Sequence, residues 1–204
     1  GSLRKELIRT IGVAQARRVL MRAGYESGVR DAALSRQVRP NANSFEQLTV
    51  GPQLHMLQGA VQVTPEDVQI DIEAGVYHGI FRWDQSWEVE THLRDFGPQT
   101  EPVCWMLLGY ASGYTSALWG QSILYKVVQC AACGHEHCRI EGRPARDWPD
   151  AEQLKADYEE DSLLVRIEDL QADLESLRVS LSPSDDLGEL IGRSKSFEKS
   201  IELL

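Results

Sequence analysis

Three of the four cysteines, Cys130, Cys133 and Cys138, fall within nine residues and lie between two runs with strand character. Residues 122–129 (SILYKVVQ) set Ile123, Tyr125 and Val127 on one face and Leu124 and Val128 on the other. Residues 139–141 form a second short run, closed by Gly142 and Pro144. A strand-loop-strand unit with Gly134 at its turn and Cys-x2-Cys-x4-Cys spacing lets thiolates converge on one tetrahedral ion, with zinc the first expectation. Disulfides are the weaker reading, because nothing in the sequence indicates secretion; free buried thiols are the other. Cys104 is the expected fourth donor, tying the hairpin to the core, and His135, Glu136 and His137 compete from the same loop. Four thiolates leave no position for a reactive water, so such an ion is a structural clasp and not a catalyst.

The rest of the chain divides by pattern. From residue 3 to about 36 the apolar spacing is helical, with Gly12 and Gly24 as interruptions, which predicts two helices. Residues 45–61 mix apolar residues with Gly51-Pro52 and Gly59, a short helix at best. Residues 68–72 and 76–83 alternate around a Glu-Ala-Gly turn and predict a β-hairpin, with Pro65 at its edge. Residues 86–96 are helical and stop at Gly97-Pro98; a longer, buried helix runs from Pro102 through Leu118. Gly24-Tyr25-Glu26-Ser27-Gly28 is echoed by Gly109-Tyr110-Ala111-Ser112-Gly113, a pattern in which small residues let two helices approach closely or a coincidence.

After residue 150 the composition turns acidic, and Leu163, Ile167, Leu170, Leu174, Leu177 and Leu181 recur at alternating intervals of 4 and 3. This heptad seam predicts a helical stalk, paired with a second copy or packed on its own domain. Three segments are therefore expected: 1–150, 151–183 and 184–204. With 21 Lys and Arg against 31 Asp and Glu the net charge is −10, which argues against direct contact with DNA. No apolar run is long enough to cross a bilayer and the N-terminus lacks a signal peptide's apolar core, so a soluble, cytoplasmic protein is expected. Gly1-Ser2 has the character of a cloning remnant, with a longer natural chain expected at both ends.

Residues 109–144, with GPQLHMLQG at 51–59 and EPVCW at 101–105, resemble the sensor domain of bacterial aromatic-responsive activators, the XylR, DmpR, MopR and PoxR group that works with sigma-54. The likeness spans residues 7–148, and the acidic helix and Leu190-Ile191-Gly192-Arg193-Ser194 resemble that group's linker and the start of its AAA+ ATPase domain. The resemblance implies an α+β fold of the 4-vinyl reductase class, in which helices pack with antiparallel strands, a zinc-bound hairpin and a coiled-coil-like linker. It implies a homodimer, alongside the cytoplasmic location and the lack of membrane or direct DNA contact expected from charge and hydropathy. It also implies that phenol or a small substituted phenol relieves repression of the chain's own AAA+ domain and so activates transcription for aromatic catabolism. Position by position, His55 and Trp83 correspond to the pair that holds the phenol hydroxyl, and Phe81, Tyr114 and Tyr125 to aromatic pocket positions; Leu48 and Ala60 are weaker wall candidates. The metal positions correspond to Cys104, Cys130 and Cys138, with a glutamate three residues before the second of them. Here that position is Val127, which cannot ligate, and Cys133 is the best substitute, with His135, a water or a three-ligand site still open.

Two other classes remain. One is an enzyme of the reductase branch of the fold, against which stand the absence of a Gly-rich nucleotide loop and of a nucleophile with an evident base. The other is a zinc-clasped interaction module whose heptad helix recruits a partner. His78 and His92 are expected on the surface or in packing, and Trp87, Trp105, Trp119 and Trp148 as core or interface anchors.

Overall fold

A computed structural model of the chain describes residues 2–71, 75–158 and 172–178. The chain divides into two units, Gly1–Glu159 and Glu160–Leu204. In the second, residues 172–178 are helical with Leu174 and Leu177 exposed; the remainder of the heptad seam and residues 184–204 lie outside the described residues.

The first unit runs α1 (Leu3–Val38), α2 (Ser44–Leu57), β1 (Gln62–Asp71), β2 (Val76–Asp84), α3 (Trp87–Phe96), α4 (Trp105–Trp119), β3 (Ile123–Gln129), β4 (Cys138–Pro144) and α5 (Ala151–Ala156). The four strands form one antiparallel sheet in the order β1-β2-β4-β3. β1 is an edge strand, which is where Pro65 costs no ladder bond, and the register slips beside it between Pro65 and Asp67. The described helices and strands make the α+β architecture expected from the sequence.

α4 lies against the inner face of the sheet, and α1 runs along α4 in the same direction. Gly24 and Gly28 of α1 and Gly109 and Gly113 of α4 bring the backbones into direct contact. A Cβ on Gly109 would lie 2.1 Å from the Met21 carbonyl oxygen, and one on Gly24 2.1 Å from that of Met106. The two echoing pentapeptides are therefore the two halves of one helix crossing. Of the two glycines expected to interrupt the first helix, only Gly12 does so, at φ +79°. Gly24 stays helical because its missing side chain serves the crossing.

α2 is longer than the sequence suggests. Asn43 and Glu46 form a reciprocal capping box at its start, which outweighs the internal Pro52. Gly51 lets it settle on the Tyr114 ring. α4 in turn begins at Trp105 and not at Pro102, because Cys104 is drawn to a cluster of thiols and leaves the helix without a side-chain cap of its own. Glu88 from α3 supplies the cap instead, accepting from the backbone N–H groups of Met106 (2.8 Å) and Leu107 (3.1 Å). Glu88 is fully buried and paired with the buried Arg4, whose guanidinium also donates to the Val103 carbonyl and covers the Trp105 ring at 4.2 Å. Burial pushes the Glu88 carboxyl up, against the pull of Arg4 and these N–H groups.

On the opposite face, β2 and β4 present His78, Arg82, Arg139, Glu141 and Arg143 toward solvent, with His78 bonded to Glu141 at 2.8 Å. The Trp148 indole donates to the Leu124 carbonyl, and Lys126 and Arg143 lie over its ring. Among the described residues no helix is long and apolar enough to cross a membrane.

Candidate effector pocket and thiol cluster

The alternation of β2 turns Tyr77, Gly79, Phe81 and Trp83 inward, and that of β4 turns Cys138, Ile140 and Gly142 inward. Gly79 faces Gly142, and Gly142 faces Tyr125 of β3, so the middle of the sheet carries no side chain on this level. Rings lean into the gap: a Cβ on Gly142 would lie 2.4 Å from the Tyr125 ring, and one on Gly79 2.7 Å from the Phe81 ring. Isolated glycines in strands are a signal for such close approach; the sequence reading passed over Gly79 and took Gly142 as the close of its strand, whereas β4 continues to Pro144.

Above this floor, between the sheet, α2 and α4, is a hollow of about 50 Å³. Phe81, Trp83 and Ile140 line it from the sheet, Tyr125 from β3, Leu48, Pro52 and His55 from α2, and Tyr110, Tyr114 and Thr115 from α4. A cavity of about 150 Å³ holds a benzene ring, so an aromatic occupant must push these walls apart. Every pocket residue expected from the sequence, His55, Trp83, Phe81, Tyr114 and Tyr125, lies on this one wall set, as does Leu48. Ala60 borders an open cleft beside it instead.

His55 stacks on Tyr110, ring centroids 3.7 Å apart. Desolvation lowers its pKa to about 4, against the opposing pull of Asp31, so the imidazole is neutral at physiological pH. Neither the half-buried His55 ring nor the Trp83 indole N–H is paired with another described residue, and neither is among the fully enclosed side-chain atoms left without a partner, where Arg17 Nε stands alone among the described residues. The hydroxyl of Tyr114 is spent on the Gln47 carbonyl at 2.6 Å and that of Tyr110 on Asp31 at 2.9 Å, leaving these two residues to offer ring surface. Tyr125 bonds to Tyr77 and, at 3.3 Å, to Thr115, and burial pushes its hydroxyl up to about 12.

The thiol cluster sits at the start of α4. Cys104, Cys130 and Cys138 are buried, with their sulfurs within 4.8 Å of one another. The Cys104–Cys138 separation is 3.5 Å and the Cys138–Cys130 separation 3.9 Å. Zinc with Zn–S bonds of about 2.3 Å places tetrahedral sulfurs about 3.8 Å apart, so the trio fits that ion. The neighbouring thiols Cys104 and Cys138 hydrogen-bond to Cys130 and favour its thiolate, aided by backbone N–H groups. Cys133 closes a 3-10 turn at Ala131–Cys133 and is half-buried, outside the trio, and Val127 packs on the core.

Residues 1–71 match the XylR_N family, described as an activator of aromatic catabolism, and residues 83–144 match the V4R domain. The crystal structure of the phenol-responsive sensory domain of the transcription activator PoxR, with phenol, is 51% identical over 78% of this chain and 79% of that one, at a TM-score of 0.75. The chain belongs to this family of sensory domains. The phenol regulator MopR of Acinetobacter guillouiae is 38% identical over 208 residues, and the transcriptional regulatory protein XylR of Pseudomonas putida 36% over 203. Both alignments take in all of this chain but only 37% and 36% of the relative, so the sensory domain spans a little over a third of these regulators' length.

Within the sensory domain, sequence reasoning missed Tyr110 and Thr115 on the pocket wall and the Arg4–Glu88 pair that fixes α4. Tyr110 was legible as part of an apolar helix but not as the residue under His55. Glu88 is one of two acidic residues in the first turn of α3, and nothing local separates it from Glu90. His92, expected on the surface or in packing, is buried with a ring nitrogen 2.9 Å from Arg4.

Proposed function

We propose that this sensory domain binds phenol or a small substituted phenol and, on binding, relieves repression of an attached AAA+ ATPase that activates sigma-54-dependent transcription of aromatic catabolism. One observation carries the reading: a neutral imidazole and an indole N–H, neither with a partner among the described residues, line the same apolar hollow. A phenol hydroxyl both gives and takes a hydrogen bond. His55 accepts its proton, the Trp83 N–H donates to its oxygen, and the ring rests among Phe81, Tyr114 and Tyr125. The ligand shifts the regulatory equilibrium only so far as it binds one arrangement more tightly than the other.

Zinc completes the domain in this proposal, held by Cys104, Cys130 and Cys138, with Cys133 as fourth donor in place of the carboxylate that Val127 lacks. The ion ties the β3–β4 hairpin to the first turn of α4 and so supports the pocket wall. A homodimer working in the cytoplasm, with segments 1–150, 151–183 and 184–204 as sensor, linker and start of the ATPase, belongs to the same proposal.

Calorimetry with phenol tests the pocket. Removing a partner from a buried hydroxyl costs about 1–3 kcal/mol, so His55→Ala is expected to weaken phenol roughly 5- to 150-fold. An unchanged affinity in that variant refutes the hydroxyl-reading role.

A further inference from the structure

The hollow has a second polar end, and its geometry gives it a ligand preference. Trp83 lies four residues along β2 from Gly79, roughly 13 Å of strand, and His55 stacks on Tyr110, five residues and about 7.5 Å of helix before Thr115. His55 and Trp83 therefore mark one end. At the other, the hydroxyls of Tyr77, Tyr125 and Thr115 meet over the Gly79–Gly142 step: Tyr77 bonds to Tyr125, Thr115 lies 3.3 Å from Tyr125, and the Tyr77 oxygen is 3.0 Å from where a Gly79 Cβ would stand. Tyr125 and Thr115 both form part of the cavity wall.

Each hydroxyl brings one proton and two lone pairs. Three hydroxyls bonded only to one another use at most three of their six acceptor positions, however their protons are arranged. Acceptor capacity is left over at a buried apolar wall, where a ring bearing only carbon at that end offers it nothing. A second hydroxyl on the ligand would use it.

We propose that the pocket accepts dihydric phenols, with one hydroxyl between His55 and Trp83 and the second, para to it, donating to the Tyr125–Thr115 pair. This rests on the reading of the hollow as a phenol site and names the ligand class it takes. In an apolar pocket an added hydroxyl loses its water and gains no partner, so the diol binds far more weakly than its methyl counterpart. Against a waiting acceptor that loss disappears.

The test is calorimetry of the protein under argon with phenol, 4-methylphenol and benzene-1,4-diol. The diol is expected to bind within threefold of 4-methylphenol or more tightly. Tyr125→Phe and, as an independent variant, Thr115→Val are each expected to shift the diol-to-methylphenol affinity ratio at least tenfold against the diol. Phenol and 4-methylphenol binding with the diol more than tenfold weaker than 4-methylphenol overturns the second polar end and leaves the phenol site standing. If none of the three binds, the phenol site falls and this inference falls with it. A ratio unmoved in both variants assigns the diol to some other contact and also overturns the proposal.

Discussion

Replacing Gly109 by alanine sets two physical effects of opposite sign against each other. Intrinsic helix propensity favours alanine over glycine by about 1 kcal/mol inside a helix, so an isolated α4 would gain. In the folded domain the new methyl would stand 2.1 Å from the Met21 carbonyl oxygen, whereas ordinary contact begins at 3.4 Å. The shortfall is 3.4 − 2.1 = 1.3 Å, and the blocking atom is backbone, which no rotamer change can move aside. The helices must part by about that distance, loosening contacts at Gly24, Gly28 and Gly113 together. Overpacking of this kind costs about 1–3 kcal/mol, and a gap of up to 1 Å forfeits roughly a quarter to a half of each dispersion contact it opens. With the cost at the top of that range and the propensity gain subtracted, a net loss of about 2 kcal/mol is expected, a fall in Tm of roughly 4–8 °C for a domain of this size. Gly24→Ala meets the Met106 carbonyl at the same 2.1 Å. Once the first methyl has parted the helices the second finds room, so the double variant should lose clearly less than the two single losses combined. Scanning calorimetry of the two single variants and the double decides it. A Tm for Gly109→Ala equal to or above that of the parent would refute the backbone-contact account outright.

Other outcomes follow from the same geometry. Glu88→Gln leaves Arg4 buried without its counter-charge and weakens the cap on α4; a loss of about 3–5 kcal/mol is expected by chemical denaturation. Because folding lowers the His55 pKa from 6.5 to about 4, the unfolded chain takes up that proton first. Its stabilising contribution is complete above pH 6.5 and is lost as pH falls toward 4, and phenol affinity by calorimetry should be level between pH 5.5 and 8 and decline below pH 5. Val127→Glu is expected to slow zinc loss to a chelator and to destabilise the zinc-free form, where the added carboxylate has no cation. Zinc release followed with a colorimetric indicator, and thermal melts of both forms, check the two halves.

How much of this was legible beforehand depends on whether the signal was local. Cys104, Cys130 and Cys138 met because hairpin spacing and a buried helix are sequence properties. His55, Trp83, Phe81, Tyr114 and Tyr125 converge on one hollow, and matched motifs rather than periodicity singled them out. The β3 face pattern held from Ile123 to Val127, since alternation of two needs no knowledge of partners, and broke at Val128, where the register shifts and Gln129 comes to lie opposite Arg139. Contacts that depend on a distant chain segment were not readable. Glu88 caps a helix that starts 17 residues later, and Arg4 reaches it from 84 residues away. The extension of α2 through Pro52 was hidden because the capping box and the Tyr114 seat together outweigh a residue that alone reads as a stop.

The paired glycines in the central strands have a consequence for how this hollow can change. Its capacity is written at Gly79 and Gly142 as two absent methyl groups, and the rings of Phe81 and Tyr125 already occupy the vacated ground. A branch added at either position would not line the chamber, yet it would tilt a ring inward and shrink the chamber from behind. Size discrimination can thus be retuned by residues that no effector ever touches.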